Sequence, residues 1–215
     1  WGELGQLTPD NLTPQWLYGG GVTEKLIQDW KVYWEDDMHP SVIEFLQRTM
    51  KPEEVAGKDL LEVGSYNVNG TPRSVFDGMK PKTYVGVDSQ LGPCVDRAVS
   101  VDDLVKEFGE DRFDVVVSTE MLEHVKYWRR AVVQLKAVVK PGGLLVVTTR
   151  SPGFPYHPYP EDHWRFTPDH FRKIFADMEI LALENDVPNM PGVLLKARKK
   201  TPGTTNLEEL MSINP

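Results

Sequence analysis

Short apolar runs separated by helix-length stretches constrain the fold of this chain more than any other feature. The runs are Asp59–Val63, Thr83–Val87, Phe113–Ser118 and Gly143–Thr148. Within them LLEV, DVVVS and LLVVTT are largely apolar at successive positions, which suits strands covered on both faces of a parallel sheet. Helical spacing fills the gaps at 70–79, 101–108 and 126–139, and returns at 168–177, where Pro168 stands near a first turn. Strand–helix alternation with short connections implies a doubly wound α/β sheet. Residues 178–200 read as two strands around a turn at Val187–Gly192, so one strand of about seven must run antiparallel.

The ends are of a different kind. Residues 1–22 are rich in Gly, Pro and Thr and read as an irregular arm. Residues 23–38 have helical spacing, with Leu26, Trp30, Tyr33 and Trp34 on one face, and Pro40 opens a second helix at 41–50. The expected organisation is an N-terminal arm and helical lid (1–50), an α/β domain (51–200) and a loose polar tail (201–215).

The net charge of −8 argues against a nucleic-acid partner, which calls for a basic surface. The one dense basic cluster, Lys196–Lys200, reads as a solvated strand edge. No run approaches the roughly eighteen apolar residues of a membrane helix, so no membrane is expected. Cys94 is the single cysteine, and the first residues lack a basic-then-apolar leader; both favour a reducing cytoplasm. A small-molecule partner fits this balance.

Chemistry concentrates where strands end. Gly64 follows the first apolar run, and Gly70 leads into a helix. Ligands of open α/β sheets bind beyond the carboxyl ends of the strands, and a glycine there permits close approach. Glu62 closes the first strand, and Asp88 closes the second, where an acid can accept both hydroxyls of a ribose. The dinucleotide fingerprint G-x-G-x-x-G fails, because five residues separate Gly64 from Gly70. Tyr66 and Asn67 add bulk where a pyrophosphate would lie, and no G-x-x-x-x-G-K-[ST] loop exists. A glycine turn with an acid on the next strand suits an adenosine ligand without a pyrophosphate.

Residues 60–148 resemble the class I S-adenosylmethionine-dependent methyltransferases, in their broad small-molecule branch. EVGSYNVNG resembles the first motif, D/E-x-G-x-G, with its second glycine lost. YVGVDSQLGPCVD resembles the second motif, FDVVVSTEMLEHV the fourth-strand motif, and LKAVVKPGGLLVVTT the turn and strand that follow. The resemblance implies a Rossmann-like seven-stranded, mostly parallel sheet. It places Glu62 near the methionine amino group, Gly64 and Ser65 along the methionine part, and Asp88 on the ribose, with Ser89 or Gln90 beside it. Ser100, Val101 and Asp102 fall where the family reads adenine. Ser100 stands where many relatives carry aspartate, with Asp102 as a substitute. Ser118 and Thr119 line the methionine side. The implied reaction moves a methyl group from S-adenosylmethionine to an oxygen or nitrogen of a small polar metabolite, sugar-like or a natural-product scaffold, and releases S-adenosylhomocysteine.

Acceptor chemistry has several candidates. Glu120, Glu123 and His124 follow the fourth strand, and His124 suits a base near neutrality, or else packs at a helix start. The loop GFPYHPYPEDHWRFTP, 153–168, carries four prolines with Tyr156, His157, Tyr159, Asp162, His163, Trp164 and Arg165. Similar loops occur in family branches near sugar and secondary-metabolite pathways, which implies that this loop shapes the acceptor pocket, with His157 or His163 as base. The alternative is a self-packed loop in which Trp164 and Phe166 are core and Arg165 pairs with Asp162. Trp34 belongs either to a lid over the acceptor or to a core stripe. His124, His157, His163, Glu123 and Asp162 are metal-ligand types, but no pair has compelling spacing, so no metal is expected. Two other functions remain open: a binding or regulatory protein of the same fold, and a nicotinamide oxidoreductase, which the absent fingerprint disfavours.

Overall fold

The computed structural model describes residues 40–68, 70–157, 161–200 and 207–215. Along the chain run α1 (Pro40–Thr49), α2 (Pro52–Val55), β1 (Asp59–Val63), α3 (Arg73–Gly78), β2 (Thr83–Asp88), β3 (Arg97–Ala98), α4 (Leu104–Phe108), β4 (Phe113–Thr119), α5 (Trp128–Val138), β5 (Val139–Arg150), α6 (Pro168–Ile174), β6 (Met178–Asn185), β7 (Gly192–Lys199) and α7 (Leu207–Ser212). The strands form one seven-stranded sheet, ordered β3-β2-β1-β4-β5-β7-β6. β7 alone runs antiparallel, between β5 and β6. The expected architecture holds. The arm, the helix at 23–38 and its Trp34 lie outside the described residues.

The parity of β1 sorts the core. Leu60 packs with Phe45, Leu46, Phe76, Val115 and Val146 on one face. Leu61 and Val63 pack with Val116, Leu145, Trp128, Leu135 and Phe171 on the other. Neighbouring parallel strands in register put equivalent residues on the same side, so the apolar runs serve both layers at once.

Several boundaries differ from expectation, each for a local reason. α3 starts at Arg73 because Pro72 occupies its N-cap. The segment 101–108 opens as a 3-10 turn, 101–103, with the Ser100 hydroxyl accepting from the Asp102 backbone N–H at 3.3 Å. The tail is not loose throughout: α7 forms, and Leu210 and Ile213 are buried. The Arg129 guanidinium pins this end by donating to the carbonyls of Leu210, at 2.9 Å, and Ile213. The basic cluster is not a solvated edge either. β7 is an inner strand, so Lys196 is buried and its Nζ donates to Glu54 at 2.6 Å and to the Thr49 carbonyl at 2.7 Å.

Trp128 joins the helical layer to the end of the loop that follows β5. It is wholly buried, and its ring meets that of Phe166 edge-on with centroids 5.5 Å apart. Trp128→Ala is expected to cost about 3–5 kcal/mol of folding stability, read from the urea midpoint.

Candidate functional site

The carboxyl ends of β1, β2 and β4 meet at one edge of the sheet. The chain leaves β1 through Gly64, whose φ of +82° lies in the left-handed region that favours glycine. A Cβ there would also stand 2.7 Å from Met121 Cγ. The glycine therefore admits Met121, from the turn after β4, as well as the sharp bend. The N–H groups of Gly64 and Ser65 both donate to the Val87 carbonyl, at 2.9 and 3.0 Å, which folds the turn over β2.

The residue in place of the second family glycine is Tyr66. It does not take a positive φ, so a side chain is tolerated there. Its ring lies against Gly92, where a Cβ would come within 2.1 Å of Tyr66 Cε2. The bulk expected to crowd the turn is thus set against the loop after β2. The Asn67 side-chain oxygen accepts from the Gly70 N–H at 2.7 Å and closes the turn.

Asp88 ends β2 beside this bend, half-buried. Its oxygens accept only long contacts: from Tyr66 N–H at 3.4 Å, Ser89 Oγ at 3.1 Å and Gln90 N–H at 3.4 Å. Two hydroxyls nearby in the fold are buried and without a hydrogen-bond partner, Ser65 Oγ after β1 and Ser118 Oγ in β4. Buried polar atoms are ordinarily satisfied, so these two are groups that a bound molecule can complete. Thr119 is buried next to Ser118.

Other expected contacts are already engaged. Glu62 is only 2% exposed and accepts from the Tyr84 hydroxyl at 2.7 Å. Burial pushes its pKa up to about 7, against the hydrogen bond from Tyr84. Ser100 caps the 3-10 turn, and Asp102 pairs with Arg130 at 3.4 Å. Val101 begins that turn and is half-buried.

The turn after β4 carries the denser chemistry. Glu120 takes φ of +54°, an unusual conformation for a carboxylate residue and a local strain. It accepts from the Thr148 hydroxyl at 2.7 Å and pairs with the buried Arg150 guanidinium, which also reaches Asp186 at 3.2 Å. Glu123 is wholly buried. Its Oε2 accepts from the Thr149 hydroxyl at 2.8 Å, while Oε1 has no hydrogen bond. Burial, reinforced by Glu120, pushes the Glu123 pKa up to about 8.

The proline-rich loop folds back onto this turn. The N–H groups of His163 and Trp164 donate to the Glu123 carbonyl, at 2.9 and 3.2 Å. His157 Nε2 lies 3.8 Å from Glu123 Oε1, and His124 Nε2 lies 4.0 Å from it. The two imidazole rings meet edge-on, with centroids 4.8 Å apart. Burial pushes the His157 pKa down to about 4, with His124 adding to the effect. Asp162 accepts from the His157 N–H at 2.8 Å and is gripped by both guanidinium nitrogens of Arg165, one at 2.6 Å. Burial opposes its charge, yet the hydrogen bonds from Arg165 and His157 hold its carboxyl down to about 2.

Of the loop residues, Asp162, Trp164 and Arg165 are held by hydrogen bonds within the fold. The Trp164 Nε1–H donates to the Val125 carbonyl at 3.0 Å, and Arg165 donates to the Pro155 carbonyl at 2.9 Å. His163 Nε2 pairs with the Glu161 carboxylate at 3.0 Å and is not among the grouped ligand atoms. Tyr156 is exposed, and Tyr159 lies outside the described residues. The structure thus brings His124 and His157 together and leaves His163 apart. Sequence reasoning missed Thr149, Arg150 and Tyr84. An arginine ending an apolar strand was the available signal for the second of these. A cleft of about 390 Å³ between the loop base and the β6–β7 turn, lined by Ser151, Thr167, Asn185 and Asp186, contains none of the strand-end residues.

A family profile described as a methyltransferase domain matches residues 33–191. No curated protein sequence matches significantly. Among solved structures, the chain is similar to the Burkholderia thailandensis 1,6-didemethyltoxoflavin-N1-methyltransferase, solved with 1,6-didemethyltoxoflavin and S-adenosylhomocysteine bound. The TM-score is 0.61 at 16% identity, covering 80% of this chain and 83% of that one. A second is an S-adenosylmethionine-dependent methyltransferase from Mesorhizobium loti, with TM-score 0.51, 16% identity and coverage of 71% and 95%. A third is the 4+2 cyclase SpnF, with TM-score 0.58, 18% identity and coverage of 78% and 85%. At these identities the likeness shows the fold.

The buried Glu62 carries a prediction about stability. Its folded pKa of about 7 lies above the ordinary 4.5, so the folded chain keeps a proton that the unfolded chain releases between those values. Folding stability is expected to fall as pH rises through that window. Glu62→Gln should flatten this part of the profile in urea titrations across the same pH range; an unchanged slope would assign the dependence to other groups.

Proposed function

The chain belongs to the methyltransferase-domain family, and from that premise we propose that it transfers a methyl group from S-adenosylmethionine to an oxygen of a small polar acceptor. The observation that carries the cofactor part is the strand-end turn. Gly64 bends the backbone, two buried hydroxyls at Ser65 and Ser118 lack partners, and the Asp88 carboxylate is only loosely engaged beside them. These donors and acceptors fit an adenosine-bearing ligand: Asp88 for the ribose hydroxyls, Ser65 and Ser118 for the amino-acid part. Ser89 and Gln90 stand next to Asp88. Val101, held at the start of its 3-10 turn, offers backbone to the base, while Ser100 and Asp102 shape that turn. Glu62 supports the edge from beneath, through Tyr84.

The cofactor supplies a methyl group already activated on a sulfonium centre. The chain's own task is to position the acceptor, exclude water and take up a proton where the acceptor is a hydroxyl. His124 and His157 meet this need, because they converge on the turn directly after Ser118 and Thr119. Burial keeps the His157 ring neutral and a weak base, so its role is to accept a hydrogen bond that orients an acceptor hydroxyl. The loop at 153–168 would form the acceptor wall, with Tyr156 and Tyr159 as contacts. His163, directed to Glu161, is not the base in this reading. Trp34 and the segment before residue 40 remain candidates for a lid, and residues 51–200 for the catalytic domain.

A cyclase among the structural neighbours makes two separate measurements worthwhile. Calorimetry with S-adenosylmethionine should show saturable binding; no heat at high micromolar ligand would overturn the cofactor assignment. Turnover to S-adenosylhomocysteine on hydroxylated acceptor pools tests the transfer, and binding without turnover would instead favour a regulatory or non-methylating role. Asp88→Ala is expected to weaken cofactor binding by about tenfold or more, roughly 1.4 kcal/mol. Unchanged affinity would show that another group holds the ribose.

A further inference from the structure

Glu123, His124 and His157 form the one group of three potential metal-ligating side chains among the described residues, with donor atoms all within 4.8 Å of one another. Their protons can be placed. His124 Nδ1 lies 2.5 Å from the Glu161 carbonyl, which can only accept. His157 Nδ1 lies 3.4 Å from the Pro155 carbonyl, which can only accept, with Asp162 Oδ2 also near it at 3.1 Å. Each ring therefore carries its hydrogen on Nδ1 and presents the Nε2 lone pair. Both Nε2 atoms face Glu123 Oε1, at 4.0 and 3.8 Å, and that oxygen is buried with no partner.

Two imidazole nitrogens and the partnerless Glu123 oxygen thus lie within 4.8 Å of one another, with that oxygen hydrogen-bonded to neither ring. A proton on Glu123 does not resolve this, since both separations exceed hydrogen-bond length. A cation does. We propose that Glu123, His124 and His157 bind a divalent transition-metal ion at the head of the acceptor loop.

Imidazole nitrogen and carboxylate oxygen bind such ions at about 2.0–2.2 Å, so adjacent donors sit roughly 3–3.5 Å apart, and the present separations, 3.8 and 4.0 Å to Glu123 and up to 4.8 Å within the group, contract by about 1–2 Å at most on binding. Two imidazoles with one carboxylate favour zinc, iron, cobalt or manganese over magnesium or calcium, and leave coordination positions open. The outer contacts have the form that metal-bound histidines use: a backbone carbonyl behind each ring, with the Asp162 carboxylate also beside the His157 ring. Asp162 and Arg165 are then positioning residues for His157. An open position on the ion would take the acceptor oxygen and lower the pKa of a hydroxyl bound there, so that with metal bound the proton leaves to solvent and the two imidazoles act as ligands in place of bases. That last role rests on the proposed methyl transfer; the binding itself does not.

The test uses the untagged full chain, freed of metal by a chelator and titrated with Co2+ without cofactor or acceptor. One equivalent should bind, with visible absorption bands typical of nitrogen and oxygen ligation. His157→Gln and Glu123→Gln should each weaken binding by about tenfold or more, and Asp162→Asn should weaken it while shifting the bands, as loss of an orienting partner does. Thermal unfolding of metal-free protein checks that each variant folds. His157→Gln, on the loop, keeps the test decisive if the buried Glu123 variant does not fold. No saturable Co2+ binding, or equal affinity in His157→Gln, overturns the site. Because S-adenosylmethionine is absent, failure here leaves the cofactor reading standing, and failure of the cofactor calorimetry leaves this site standing.

Discussion

Glu123 is the tie between the sheet and the loop that covers its edge. Its carbonyl accepts from two successive N–H groups of the loop, those of His163 and Trp164. Its side chain faces Thr149 on β5 and two histidines, one from each side of the contact. A wholly buried carboxylate is costly unless its environment compensates. Here one oxygen is satisfied by a hydroxyl and the other faces only imidazole lone pairs. The loop's position, the strain at Glu120 and the buried Arg150 all follow from bringing so much charge to one strand end.

The remaining buried charges show the contrasting case. Lys196 is fully paired with Glu54, and Lys136 donates to Asp177 and to the Ile174 carbonyl, both at 2.6 Å. These groups are satisfied within the fold and lock helices to the sheet. Three of the atoms left without a hydrogen-bond partner, on Ser65, Ser118 and Glu123, lie at the carboxyl edge where ligands of this sheet type bind, while others lie on Arg73, Asp102, Trp128 and Arg150.

The sheet was legible because its strands are apolar at successive positions, a pattern with few competing explanations. β1 was read with its observed limits, and β4 to within one residue. Asp88 and Gly64 were legible for the same reason, since strand ends mark the edge. α7 was not, because Leu210 and Ile213 alone do not make a helical stripe, and their burial depends on Arg129, far back in the chain. The convergence of Glu123, His124 and His157 was equally hidden. Spacing along the chain carries no information about a contact made when a loop folds back across a strand end. Within the loop Asp162 and Arg165 are hydrogen-bonded to each other and the Trp164 indole to the Val125 carbonyl, the self-packed contacts that the alternative reading of the loop expects.

The loop's internal bonds have a consequence for how such a protein diversifies. Arg165 grips Asp162, three residues away, and reaches back only to Phe154 and Pro155. Most of what shapes the loop therefore lies within the loop itself, anchored to the rest by Glu123, Val125 and Arg150. A segment closed on itself in this way can change length or chemistry while its anchor points stay fixed. If the loop forms the acceptor wall, as proposed, acceptor choice and the sheet are separable traits, open to exchange as a cassette between related chains.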